Sequence, residues 1–251
     1  MRKRRVLTAV PLAVLTLVGT SVASTTANAD TPPAPPKTNI VGGVPATETY
    51  TFMASLQGTS GSHSCGGSLV APQWVITATH CGQPAQVRIG TKTYNAGGEV
   101  VRVASRQVIG GDLAILRLAS AATSKPIPIA QSAPVGAATR LIGWGQTCPT
   151  RGCGGAPINL QQLDTTIVAD SRCSGITGST EICTDGGNGK GACYGDSGGP
   201  AVTGGPGAWE LVGATSRGGQ TCAQGPAIYS DTAAYRSQIL QIIGGASSAT
   251  R

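Results

Sequence analysis

From residue 68 to residue 230 the chain is a succession of short apolar or alternating runs, at 68–70, 74–77, 86–89, 100–103, 113–118, 141–144, 160–168, 201–202, 211–216 and 227–230. Glycine or proline interrupts them roughly every dozen residues, a spacing that points to a β-sandwich or β-barrel. The 37 glycines show no period of three, so they punctuate turns and do not build a collagen-like repeat. One helix is expected near the end. Tyr235, Ile239, Leu240 and Ile243 recur at helical spacing, with Asp231 or Thr232 as N-cap and Gly244 as terminator.

On this β-rich frame the segment Gly195-Asp196-Ser197-Gly198-Gly199-Pro200 carries the chemistry. A serine among glycines suits a nucleophile on a tight turn, because glycine admits backbone conformations closed to other residues and lets a substrate approach the main chain. Alone, such a stretch is more often a plain glycine-rich turn. The two histidines, His63 and His80, both precede Ser197, which excludes the order Ser…Asp…His. No aspartate lies between Ile40 and His80, which excludes Asp…His…Ser. The order His…Asp…Ser remains. Of the five aspartates between His80 and Ser197, Asp164, Asp170 and Asp185 lie in polar, turn-rich surroundings, and Asp196 adjoins the serine. Asp112 alone opens a buried-strand run, where a carboxylate can be fixed to orient a histidine. Its plainer role would be a strand cap.

The N-terminal region has the layout of an export signal. Arg2-Lys3-Arg4-Arg5 is a basic start, 6–18 is apolar, and Ala27-Asn28-Ala29 is a small-residue cleavage site, so residues 1–29 are expected to be a secretory signal peptide. The apolar stretch is short for a membrane span and contains Pro11. Residues 30–39, with Pro32, Pro33, Pro35 and Pro36, form an extended segment before a single domain at 40–251. Losing residues 1–39 removes five of 18 basic and one of 11 acidic side chains, so the net charge falls from +7 to +3. With no remaining basic cluster and 4% aromatics, the composition gives no support to nucleic-acid binding. All eight cysteines lie beyond residue 39. An even number in an exported chain implies disulfides, with 105 pairings open on sequence alone. The histidines do not fall at zinc-finger spacing, and segment 88–99 holds one carboxylate, so no metal and no cofactor are expected.

Five motifs in order, Ile40-Val41-Gly42-Gly43, Cys65-Gly66-Gly67-Ser68-Leu69, Thr77-Ala78-Thr79-His80-Cys81, Asp112-Leu113-Ala114-Ile115-Leu116 and the Ser197 segment, resemble the trypsin/chymotrypsin-like serine peptidases, of a secreted bacterial type. Thr79 departs from the family's usual alanine. The resemblance implies an all-β fold of two antiparallel six-stranded β-barrels with a C-terminal α-helix (chymotrypsin-like) and a crossover near 125–134. It implies a catalytic triad of His80, Asp112 and Ser197, an oxyanion hole from the N–H groups of Gly195 and Ser197, and disulfides Cys65–Cys81, Cys173–Cys183, Cys193–Cys222 and, with them, Cys148–Cys153. It also implies that 30–39 is an activation peptide, removed so that the free amino group of Ile40 pairs with Asp196. His63 aligns near a position that some zymogens of the family use to hold that aspartate; a solvated loop histidine is the other reading.

The specificity pocket implied is Gly191, Ala192, Ser216, Gly218 and Ala227. Gly191 stands where trypsins carry aspartate, so the pocket lacks the carboxylate that would select Lys or Arg. A medium or large apolar residue is expected before the scissile bond. Arg217, where the family usually has tryptophan, and Lys190 beside the floor are cations that would favour an acidic residue if they turned inward. The expected function is a secreted, extracellular, monomeric serine endopeptidase. Its partners are protein or peptide substrates and protein protease inhibitors, with no nucleic acid and no membrane once mature. A catalytically silent binding protein on the same scaffold, or mainly an esterase, are the alternatives.

Overall fold

The computed structural model describes residues 40–248. The expected signal and activation segments lie outside the described residues.

The first barrel is made by β2 (Met53–Gln57), β3 (His63–Ala71), β4 (Trp74–Ala78), β5 (Gln86–Ile89), β6 (Glu99–Gly110) and β7 (Leu113–Leu118), closed in the order β2-β3-β4-β7-β6-β5. The second is made by β8 (Ala138–Gly143), β9 (Gln161–Val168), β10 (Glu181–Thr184), β11 (Pro200–Thr203), β12 (Glu210–Arg217) and β13 (Ala227–Asp231). Its order is β9-β10-β13-β12-β11-β8, with β8 pairing back onto β9. The short β1 (Val44–Pro45) adds to β9 from outside. Every pairing between these strands is antiparallel. Closure removes the exposed sheet edges that would otherwise invite aggregation.

Residues 113–116 are all buried, so β7 reads as a continuous apolar run and sits against β4 deep in the first barrel. Their register pairs Ala78 with Leu113. The pairing extends past that pair through Thr79 N on Asp112 O at 2.9 Å, so His80, the next residue along, emerges beside Asp112. One apolar cluster extends across both barrels, joining Met53, Leu56, Leu69 and Ile115 to Ile142, Trp144, Val202 and Leu211. Each fully buried side chain of this kind stabilises by roughly 1.5–3 kcal/mol.

The barrels meet through backbone at glycine. Gly66 N on β3 donates to Ser197 O at 2.8 Å, and a Cβ on Gly66 would stand 2.7 Å from Gly199 Cα. The close approach leaves no room for a side chain.

The C-terminal helix α1 runs Arg236–Ser248. Asp231 Oδ1 accepts from Ala233 N at 2.8 Å and Ala234 N at 3.2 Å, capping the turn that leads into it. Thr232 does not cap, because its hydroxyl is spent on Leu211 O. Gly244 does not terminate the helix as expected. It takes no positive φ, so the left-handed turn that makes glycine a stop signal does not form there. The helix is tied to the first barrel by Gln238 Nε2 on Ile109 O at 3.1 Å.

Candidate active site

His80 lies on a single 3₁₀ turn, Thr79–Cys81, directly after β4. The Cys65–Cys81 disulfide holds that turn to β3, and Thr79 N donates to Asp112 O at 2.9 Å. Asp112 is grasped by three donors: His80 N on Oδ1 at 3.0 Å, and His80 Nδ1 and Ser216 Oγ on Oδ2 at 2.8 and 2.7 Å. Partial burial works to raise the Asp112 carboxyl, but the hydrogen bonds from His80 and Ser216 outweigh it and hold it below its ordinary value. The hydrogen bond to Asp112 raises the His80 pKa, against the opposing effect of burial. With Asp112 accepting from Nδ1, the neutral imidazole keeps its lone pair on Nε2.

Ser197 sits on the turn before β11, and both barrels fasten that turn. Ser197 O accepts from Gly66 N, and Gly198 N donates to Thr215 O at 2.7 Å. Gly198 has φ +74°, and a Cβ there would stand 2.7 Å from Ala78 N and Gly66 O. Glycine is required by both conformation and space. Among the described residues, neither Gly195 N nor Ser197 N donates to a protein acceptor. His80 and Ser197 line one cavity of about 470 Å³. Among the described residues no hydrogen bond joins the Ser197 hydroxyl to His80 Nε2; such nucleophile–base contacts commonly tighten on substrate binding.

Asp196 is buried beneath this turn. Its Oδ1 accepts from Gly145 N at 2.8 Å and its Oδ2 from Cys193 N at 2.9 Å. Burial pushes its carboxyl up to about 7 despite those two donors, and among the described residues no cation pairs with it. Ile40 is also buried, and the following Val41 O accepts from Gly191 N at 2.9 Å. Ile40 has φ +43°, a strained value for a β-branched residue.

His63 is not the solvated loop histidine of the alternative reading. Nδ1 meets Ser55 Oγ at 2.8 Å and Nε2 meets the Gly195 carbonyl at 3.0 Å. Burial lowers its pKa to about 4, against the effect of the Gly195 carbonyl. Here it contacts the loop glycine and not Asp196.

Gly191, Ala192, Ser216, Gly218 and Ala227 all line the cavity with His80 and Ser197. Of the two cations that sequence left open, Arg217 lines the cavity but is paired, and Lys190 lies outside it. Arg217 grips Glu181 with both terminal nitrogens, at 2.5 and 2.9 Å, and also donates to Gly175 O. Lys190 lines a separate depression with Arg172 and Asn188. Asp185, at the cavity wall, is 47% exposed and lies 3.5 Å from Arg172. Two features escaped the sequence: Glu181 as partner of Arg217, and Arg151, whose guanidinium stands 5.3 Å from the Tyr194 ring at the cavity edge. Arg151 follows Cys148 by three positions, and that closely spaced cysteine pair was the available hint of an ordered loop. The structure joins Cys65–Cys81, Cys148–Cys153, Cys173–Cys183 and Cys193–Cys222. Among the described residues no three acidic, histidine or cysteine side chains converge to hold a metal ion, and no helix is long and apolar enough to cross a membrane.

The model of the Trypsin family matches residues 40–239. Trypsin delta of Drosophila erecta is 38% identical over 230 residues, covering 80% of this chain and 87% of that protein. Trypsin alpha-4 of Lucilia cuprina is 38% identical over 228 residues, covering 80% and 86%. These relatives are insect proteins and lend no support to a bacterial type. Among solved structures, neuropsin, a serine protease expressed in the limbic system of mouse brain, is similar with a TM-score of 0.72 at 26% identity, covering 80% of this chain and 98% of that one. The match over the two barrels and the relatedness of the sequences agree, and the chain belongs to the trypsin family of serine endopeptidases.

Proposed function

We propose that Ser197, His80 and Asp112 hydrolyse peptide bonds through an acyl-enzyme, with preference for an apolar residue before the scissile bond. The observation that carries the mechanism is Asp112 holding His80 Nδ1 at 2.8 Å, which leaves Nε2 as the base in the cavity shared with Ser197. Ser197 Oγ attacks the carbonyl carbon as its proton passes to Nε2. The carbonyl oxygen becomes an oxyanion that accepts from the N–H groups of Gly195 and Ser197, a contribution of about 3 kcal/mol per donor. His80 then gives its proton to the leaving amine, and water repeats the sequence to release the acid and regenerate Ser197. Asp112 fixes the tautomer and stabilises the imidazolium. The intact set of contacts on Asp112 favours this reading over a silent binding protein.

The preference rests on the absence of a side chain at Gly191 and on the small Ala192 and Ala227 in the same wall. Arg217 is neutralised by Glu181, which removes the reason to expect an acidic residue in the pocket. The relatives are named trypsins, and Gly191 is where this chain parts from a tryptic pocket. Profiling cleavage across a peptide library tests this: cuts should cluster after Phe, Tyr, Leu or Met, and dominant cutting after Arg, Lys, Asp or Glu would overturn the pocket reading.

The precursor is exported on residues 1–29 and activated by loss of 30–39. Burial of Ile40, its strained φ and the buried carboxylate of Asp196, which has no cation partner among the described residues, support that step. A freed ammonium at residue 40 supplies the cation Asp196 lacks, which is favourable only with good geometry and satisfied hydrogen bonds. The mature enzyme acts as a secreted monomer on proteins, and protein inhibitors that present a substrate-like loop compete for the same cleft.

A further inference from the structure

Four charged or chargeable side chains other than tyrosine line the catalytic cavity: His80, Arg151, Asp185 and Arg217. His80 is committed to Asp112, Arg217 to Glu181, and Asp185 faces Arg172. Arg151 differs. Among the described residues it makes no ion pair and no hydrogen bond, and its only recorded partner is the face of Tyr194. It is nevertheless held on a well-tied loop. The Cys148–Cys153 disulfide closes that loop, and Gln146 braces it from inside, accepting from Gly152 N at 3.1 Å and donating to Thr150 O at 3.0 Å. Pro149 O accepts from Cys222 N at 3.0 Å, fastening the loop to the cavity wall. Tyr194 is fixed in turn, its hydroxyl donating to Gln220 O at 2.8 Å and its carbonyl accepting from Gln146 N. A guanidinium stacked on a fixed ring keeps its N–H edge available.

The geometry points to Arg151 as a specificity-determining residue that selects substrates carrying a carboxylate beside the residue in the pocket. The inference rests on the proposed peptidase activity and adds to it a second determinant: an apolar residue in the pocket and an acidic side chain within reach of Arg151. The class of substrate is thus a protein segment that carries an acidic side chain close to a large apolar residue. The charge acts across solvent, so its effect is that of an exposed ion pair, about two- to five-fold in kcat/KM and weakened by salt.

The test uses the processed enzyme and a set of peptides with one large apolar residue at the cleavage site. A single Glu or Gln is walked through the three positions on either side. For the wild type, one or two positions should show a Glu-to-Gln ratio of kcat/KM above unity that shrinks as ionic strength rises. In Arg151→Gln that ratio should fall to unity, and in Arg151→Glu it should invert. Tyr194→Leu, which removes the stacking face and keeps the charge, should reduce the ratio without inverting it. Peptides cleaved with a ratio that does not depend on residue 151 would overturn this inference alone. No cleavage of any peptide by a processed chain would overturn the peptidase reading on which it rests.

Discussion

The Ser216 hydroxyl donates to Asp112 Oδ2 at 2.7 Å, on the same oxygen that accepts from His80 Nδ1 at 2.8 Å. Ser216 is on β12 of the second barrel, whereas Asp112 and His80 belong to the first. The second barrel thus helps to fix the carboxylate that holds His80. Alignment of the two barrels and alignment of the His80 imidazole are one geometric condition.

Asp112→Asn replaces an acceptor-only carboxylate by an amide that permits the wrong imidazole tautomer. The expected loss in kcat is roughly 10⁴-fold. The His80 pKa is raised chiefly by its bond to Asp112, so the acid limb of the kcat/KM profile should move to lower pH in the variant. Activity rises with pH as His80 loses its proton. Steady-state kinetics from pH 5 to 9 would check both effects, and an unmoved acid limb would count against the assignment.

Gly66→Ala places a Cβ 2.7 Å from Gly199 Cα, at the seam that also carries the Gly66 N to Ser197 O hydrogen bond. The barrels must part or the Ser197 turn must shift. Activity should fall by at least about 100-fold, the scale set by misplacing reacting groups by an ångström. Far-UV circular dichroism should still report a folded β protein.

Two buried groups oppose each other in the uncut chain. His63, lowered to about 4, withholds a proton that the unfolded chain binds below about 6.5. Its contribution to stability therefore falls as pH drops from 6.5 towards 4. Asp196, raised to about 7, holds a proton that the unfolded chain releases above about 3.9. Its contribution falls as pH rises from 4 to 7, so the two slopes nearly cancel in the precursor. In Asp196→Asn the His63 slope is no longer opposed by Asp196, so that uncut chain should lose more stability than the wild type on acidification through the window, by up to about 1.4 kcal/mol per pH unit. Urea unfolding of both precursors between pH 4 and 7 would show it; parallel curves would contradict the account.

Gly191→Asp adds a carboxylate to an uncharged pocket and should shift preference towards Arg and Lys. Gly191 has φ +156°, so a side chain there is strained, and the new Cβ also stands 3.3 Å from Ala223 Cα, so the facing segment must yield by a few tenths of an ångström. The gain for basic substrates should therefore come with reduced kcat. Kinetics on matched Phe and Arg substrates measure the switch.

Much of this was legible in the sequence because the relevant signals are local. The run 113–118 is β7 residue for residue, and 86–89 is β5. The order of two histidines and one strand-opening aspartate singled out His80, Asp112 and Ser197, and the structure brings the three to one end of the cleft. What escaped depends on pairing across the chain. In β10 only four residues, Glu181–Thr184, form the strand, and the first is polar because it serves Arg217 rather than the core. The strand β6 spans Glu99–Gly110, but the apolar signal at 100–103 lapses over 104–107, where most side chains face solvent, before Val108 and Ile109. Likewise the role of His63 depends on the carbonyl of Gly195, 132 positions away. No short-range pattern marks that contact.

The most direct measurement is the intact mass of the secreted protein before and after treatment with a fluorophosphonate, alongside Ser197→Ala. The expected result is a chain beginning at Ile40 that gains one phosphonyl adduct, with none on the variant. A correctly processed wild-type chain that takes up no adduct, or an equal adduct on Ser197→Ala, would contradict Ser197 as the activated nucleophile.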